Sequence, residues 1–329
     1  MGWLSRWFSA TDDGSEEQVS SADLDRALEL VIEHTDPRLR YLPGHQRRLR
    51  KPLLRTLGYL AEVVELIPGP LEMGRRQYGS DARVNALFGS VDQMLDLFGR
   101  SELVREYLRA RPGGDDFYCS IGMFREEKRV LGMALKEEMV QKEVIQIAVN
   151  FTGHWIGVVN DGDRSVREAL RWRGLESLCI SALERIAALR TGGDRRLLEE
   201  RLKGVLDAGC GLEPCRMQGD REKVRQRLAE NARKLSSSEV PGGTLEDYLN
   251  ELVSVLSSPE EHLQVSCHSV RVDRMGIRKD GEEGTEVTTA HVERPGQPGF
   301  ELILARFPRD ELRDRDYYRS RARSYVNAL

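Results

Sequence analysis

Cys210 and Cys215 in "CGLEPC", with Cys267 and His268 in "CH", are the residues whose types best suit a metal. Zinc takes four nitrogen or sulfur ligands, usually supplied as two close pairs. Here four residues separate the first two cysteines, and adjacent residues on a strand point to opposite faces. The pattern reads as a loop cysteine pair and a strand cysteine, so neither a metal nor a cofactor is expected. His154 in "FTGHWIG" is the right type for a general base. It has no assignable acid partner, and a histidine in a turn beside Trp155 reads as structural. "NDGD" (Asn160 to Asp163) clusters oxygens but lacks the later glutamate of a calcium loop. A tight turn feeding a helix cap accounts for it. No glycine-rich phosphate loop, HExxH or GxSxG elbow occurs. A pocket lined by His154 or His268 with an acid nearby would be the feature that favours an enzyme.

Two other groups of residues are suited to surfaces. Between Pro37 and Arg55 lie Arg38, Arg40, Arg47, Arg48, Arg50, Lys51 and Arg55, without one acid, in a chain of net charge −4. Such a stretch attracts anionic lipid or phosphate, or it is a solvated face paired with acids elsewhere in the fold. Pro52 suits the first turn of a helix, where unpaired N–H groups would add to the positive potential. At the start of the chain, Trp3, Leu4, Trp7 and Phe8 share one face if residues 1–9 are helical. Tryptophan favours the lipid–water interface, so this tip reads as a membrane- or partner-binding element. It is tethered by an acidic, Ser/Gly-rich stretch.

The remaining composition sets the frame for these groups. With 329 residues, 40% of them hydrophobic, the chain can bury a core of one large or two ordinary domains. No apolar run reaches the roughly 20 residues of a membrane-spanning helix. The opening lacks the apolar core of a secretory signal, and the five cysteines are odd in number and scattered. These features suggest a cytoplasmic protein, peripheral at the inner membrane if the tip binds lipid. The marked preference for Arg over Lys suggests a GC-rich bacterial genome.

Periodicity then gives the elements. Residues 1–20 form a tail. Residues 21–112 read as a helical domain, with a stripe at Leu49, Leu53, Leu57, Leu60, Val64 and Ile67. A repeat, "SDARVNALFG" and "SVDQMLDLFG" followed by "RSELVREYLR", predicts short helices begun by serine and ended by left-handed glycines at Gly89 and Gly99. Alternation over 115–160 predicts four antiparallel strands, with turns at "REEK" and "TGH". Residues 163–258 return to helix, with a narrow seam at Val224, Leu228 and Leu235 that suits a coiled-coil-like hairpin. Strands recur over 262–307, and an Arg/Tyr-rich helix closes the chain over 309–329.

The fold class is therefore α+β: an N-terminal helical region, a mostly antiparallel sheet built from two sequence segments, and an inserted helical hairpin region. The function these features suggest is a non-enzymatic adaptor or regulator. Its partner would be another protein or a second copy, met through the 175–257 helices, or an anionic membrane. A nucleic-acid-binding module is the alternative, and an enzyme without a recognisable motif the third.

Overall fold

The computed structural model describes residues 20–113, 116–136, 139–189, 193–207, 212, 244–281, 283–313 and 317. The helices are α1 (Ser21–His34), α2 (His45–Glu65), α3 (Arg75–Ser80), α4 (Ala82–Leu87), α5 (Val91–Arg100), α6 (Glu102–Ala110), α7 (Asp163–Ala188), α8 (Gly193–Asp207) and α9 (Leu245–Ser257). The strands are β1 (Leu71–Glu72), β2 (Asp116–Lys136), β3 (Met139–Asn160), β4 (Gln264–Val272), β5 (Thr285–Glu293) and β6 (Phe300–Pro308). The class is α+β, and both β segments enter one sheet of order β3-β2-β6-β5-β4. All its pairings are antiparallel except the short β1, which runs parallel to β6.

Two compact units divide the chain, residues 1–62 with 171–263 and residues 63–170 with 264–329. This grouping departs from the boundary expected at residue 112. Helices α3–α6 belong with the sheet, because Val84, Leu87, Met94, Phe98 and Val104 are buried in one cluster with Phe117, Ile121, Ile303 and Phe307. The first helices group instead with residues 171–263, the greater part of the expected insertion.

In the helical unit, Ser20 caps α1 by accepting from the Asp23 N–H at 3.0 Å. Leu24, Ala27, Val31, Leu49, Leu53, Leu57 and Leu60 are buried, and so are Leu175, Cys179, Ala182, Ile186, Leu249, Leu252 and Leu256. Thr244 and Asp247 form a reciprocal capping box at the start of α9. Pro52 lies inside α2, not at its first turn. The helix begins at His45, just after Gly44 takes a left-handed φ of 73°. Proline there removes one N–H from the ladder without ending the helix.

In the sheet unit, Asp81, Ser90 and Ser101 cap α4, α5 and α6 through their side chains. Neither Gly89 nor Gly99 adopts a positive φ, and Gly99 is packed into the last turn of α5. The repeat's helices are set by their starts, not by glycine ends. The expected four strands of 115–160 are two long ones. "REEK" continues the ladder, with Arg125 opposite Phe151 and Lys128 opposite Ala148. "TGH" is a bulge: Gly122 faces Trp155 while Phe124 faces Thr152, so β3 carries an extra residue where Gly153 takes φ 62°. The same two-against-three count recurs between Cys119 and Ile121 and between Gly132 and Ala134. Each bulge lengthens β3 relative to β2, and bulges bend and twist the strand that bears them. The sheet accordingly curls. The turn after β4 reaches β3, where the Gly276 carbonyl accepts from Val149 N–H and the Ile147 carbonyl from Arg278 N–H, both at 2.8 Å.

Candidate metal centre

The helix-covered face of the sheet is apolar along most of its length. On β6 the residues of that phase are Glu301, Ile303, Ala305 and Phe307, and the last three belong to the core. Strand pairing places Glu301 opposite Met123 on β2 and opposite His291 on β5, and His291 opposite Ser266 on β4. One transverse row thus carries Met123, Glu301, His291 and Ser266. His268, two residues along β4, stands opposite Thr289. The core face ends in this polar cluster.

Glu301 has a side chain only 3% exposed. One carboxylate oxygen accepts from the Thr289 hydroxyl at 2.5 Å, and the other lies 3.0 Å from His291 Nδ1. The His291 and His268 rings stack with centroids 5.0 Å apart and planes 13° from parallel. His268 Nε2 is 3.1 Å from Ser266 Oγ. One ligand atom from each of His268, His291 and Glu301 falls within 4.8 Å of the others. His291 and His268 are half-buried, so Glu301 forms the floor of a cluster that opens to solvent through the imidazoles. Arg125 stands beside it, 4.0 Å from Glu301 and 3.5 Å from Glu127. Glu127 is in turn 3.5 Å from Arg278 on the turn that meets β3.

Two imidazoles and one carboxylate are the donor set of open transition-metal sites, for zinc or for non-haem iron. The 3.0 Å between His291 Nδ1 and Glu301 is close to the separation of two donors on one ion at about 2.0–2.2 Å from each. His268 lies farther out, its ligand nitrogen within 4.8 Å of the other two ligand atoms, and would have to turn its side chain to share an ion with them. The set therefore fits a divalent transition-metal ion. Sequence spacing pointed away from His268, because Cys267 takes the opposite face. That geometry holds: Cys267 is exposed and outside the cluster. The partners came from other strands. A usable signal was Glu301, the one acid in the apolar run "FELILARF" and on its core-facing phase.

The other sequence candidates fall elsewhere. Trp3, Leu4, Trp7, Phe8, Cys210, Cys215 and the seam at Val224, Leu228 and Leu235 lie outside the described residues, as does most of the 309–329 helix. His154 is structural: it stacks on Phe88 at 4.6 Å, and its Nε2 is 2.8 Å from the Leu87 carbonyl oxygen. Burial holds its pKa below the usual histidine value, against the opposing effect of that hydrogen bond.

The basic stretch is not one exposed patch. Arg38 is buried, its guanidinium forked onto Asp36 at 2.7–3.1 Å. Arg40 pairs with Glu29 and Glu33, Arg48 with Glu246 and Asn250, and Arg55 with Glu260. Acids from α1, α9 and the turn after α9 supply what residues 37–55 lack. Arg47, Arg50 and Lys51 remain on the exposed flank of α2. Because α2 starts at His45, Arg47 lies in its first turn, while Arg50 and Lys51 lie past the unpaired N–H groups that the anion-binding reading relied on.

Among the described residues, no helix is long and apolar enough to cross a membrane. No protein-family model, curated protein or solved structure matches this chain.

Proposed function

We propose that the sheet unit is a metal-binding module in which His268, His291 and Glu301 hold a divalent transition-metal ion. The observation that carries this is a nearly buried carboxylate shared by a histidine and a threonine, with a second histidine stacked beside it. Closed structural zinc sites take four protein ligands; three leave positions for water or a small ligand. This supports the enzyme reading over the adaptor. Equilibrium dialysis of the full chain against Zn²⁺, and Co²⁺ absorption spectra, test it. The expected result is saturable binding that His268→Ala, His291→Ala and Glu301→Gln each weaken by about tenfold or more. Absence of saturable binding, or binding indifferent to all three variants, would overturn it.

A second reading, self-association, is favoured by one observation. Beyond Arg129 and Ile147, β2 and β3 form a two-stranded ribbon on which Leu131 and Ile145 stand opposite each other, 73% and 67% exposed. Contiguous exposed apolar surface marks contact sites when it is large enough, and an adjacent aliphatic pair is a start on such a patch. If a second copy covers them, Leu131→Lys with Ile145→Lys lowers the mass seen by light scattering. A monomeric wild type sinks this reading.

A further inference from the structure

Arg125 reaches one of the three proposed ligands, and an ion held there would adjoin a charge of its own sign. Its Nη1 is 4.0 Å from a Glu301 carboxylate oxygen, so an ion on that carboxylate lies within a few ångströms of the guanidinium. The two carboxylates beside Arg125 stand at 3.5 and 4.0 Å, longer than the roughly 2.7–2.9 Å of a charge-assisted hydrogen bond. Its side chain is 27% exposed, like that of His291, so solvent reaches both. A guanidinium is a planar fork matched to carboxylate and phosphoryl oxygens. Three protein ligands, meanwhile, leave the ion short of its coordination number.

Resting on the metal-binding reading, we propose that Arg125 and the ion together form an oxyanion site. A carboxylate or phosphoryl group of a small ligand binds with one oxygen on the ion and another on Arg125. The anion removes the repulsion between the two cations and completes the coordination. Glu127, joined to Arg125 on one side and to Arg278 on the other, is the positioning residue: it keeps the guanidinium on the site's rim. The ligands this favours are small anions with at least two oxygens on one centre, entering from the His291 side.

The test uses the full chain loaded with Co²⁺, with inorganic phosphate and acetate as separate probes and the visible spectrum as the readout of the ion's surroundings. Both the wild type and Arg125→Gln are first titrated with Co²⁺. The expected result is that anion addition shifts the spectrum of the wild type. Arg125→Gln should keep its Co²⁺ affinity, or improve on it, while anion affinity falls about tenfold or more, the loss of one charge-assisted contact. Tighter phosphate than acetate assigns a phosphoryl ligand, and the reverse a carboxylate. Arg125→Gln that binds Co²⁺ and both anions as the wild type does overturns the inference and leaves the metal site standing. A Co²⁺-loaded wild type that answers neither anion overturns it too. Failure of the wild type to bind Co²⁺ at all overturns the metal-binding reading beneath it.

Discussion

Asp36 in the helical unit and Glu301 in the sheet unit are both carboxylates taken almost wholly out of water, and they are satisfied in opposite ways. Asp36 has a dedicated cation two residues along the chain. Arg38 meets it through the backbone N–H, Nε and Nη2, all between 2.7 and 3.1 Å. Arg201, also buried, donates to the Thr35 carbonyl next door at 2.7 Å, and burial pulls its pKa down. Glu301 has a hydroxyl and an imidazole, with its nearest arginine contact at 4.0 Å. A buried acid gripped by a forked guanidinium has both its oxygens satisfied inside the fold. A buried acid whose partners are a threonine and a solvent-facing histidine keeps capacity for something from outside. The contrast teaches that burial of a charge marks a site only when its partners leave it open.

The comparison breaks most easily at Asp36. Asp36→Ala leaves Arg38 buried without its counter-charge and should cost about 3–5 kcal/mol, read from the midpoint of denaturant unfolding. A loss under about 1 kcal/mol would mean that the pair is not closed. Glu301→Gln comes next. It keeps the shape and an acceptor for Thr289, so it should cost about 1 kcal/mol in the same measurement. Its main effect should be loss of Zn²⁺ binding. If it destabilises the protein as much as Asp36→Ala, Glu301 is a structural group and the contrast fails.

His154 sharpens the comparison from the side of pH. Burial lowers its folded pKa, while in the unfolded chain it stays near 6.5. The unfolded state therefore takes up the proton first as pH falls. The stability of the sheet unit is complete above about pH 6.5 and declines as pH falls below it. His154→Gln should flatten that decline in unfolding curves taken between pH 7 and 5, and an unchanged slope would remove the argument. The smallest effect is expected on the helical surface. Arg55→Ala breaks the pair with Glu260, whose two side chains are 58% and 46% exposed, and should change stability by less than about 1 kcal/mol.

What the sequence made legible follows from range. Helical stripes are written within one element, and each residue from Leu49 to Ile67 on the α2 stripe is buried as its spacing requires. The alternation of "FYCSIGMF" likewise put Phe117, Cys119, Ile121 and Met123 on the core face. The two β segments enter one sheet, the more economical of the arrangements their alternation allows. Local signals failed where two structures share one composition. A Gly beside Thr and His makes a turn or a bulge equally well, and only the opposite strand decides which. Residues 37–55 looked unopposed because Glu246 and Glu260, which meet Arg48 and Arg55, lie some 200 positions away. The metal cluster was hidden for the same reason. Its three residues come from three strands, and the phase of Glu301 was the one trace visible in a single segment.

The three bulges on β3 have a consequence for how this chain tolerates inherited change. Side chains alternate with a period of two, so each extra residue reverses the facing of everything beyond it. Deleting Gly153 alone would remove the extra residue and let Trp155, His154 and Thr152 meet Gly122, Met123 and Phe124 in regular pairing, so the facing on both sides would be kept. Deleting Asn150 instead, where the ladder is regular, would turn Val149, now in the core, outward. A second single-residue change nearby on the same strand would restore the facing. Descendants of this sequence should therefore lose single residues along β3 at the bulges, or change elsewhere on the strand in compensating pairs, and a lone indel in its regular stretches should be far rarer than one in the loop between β5 and β6.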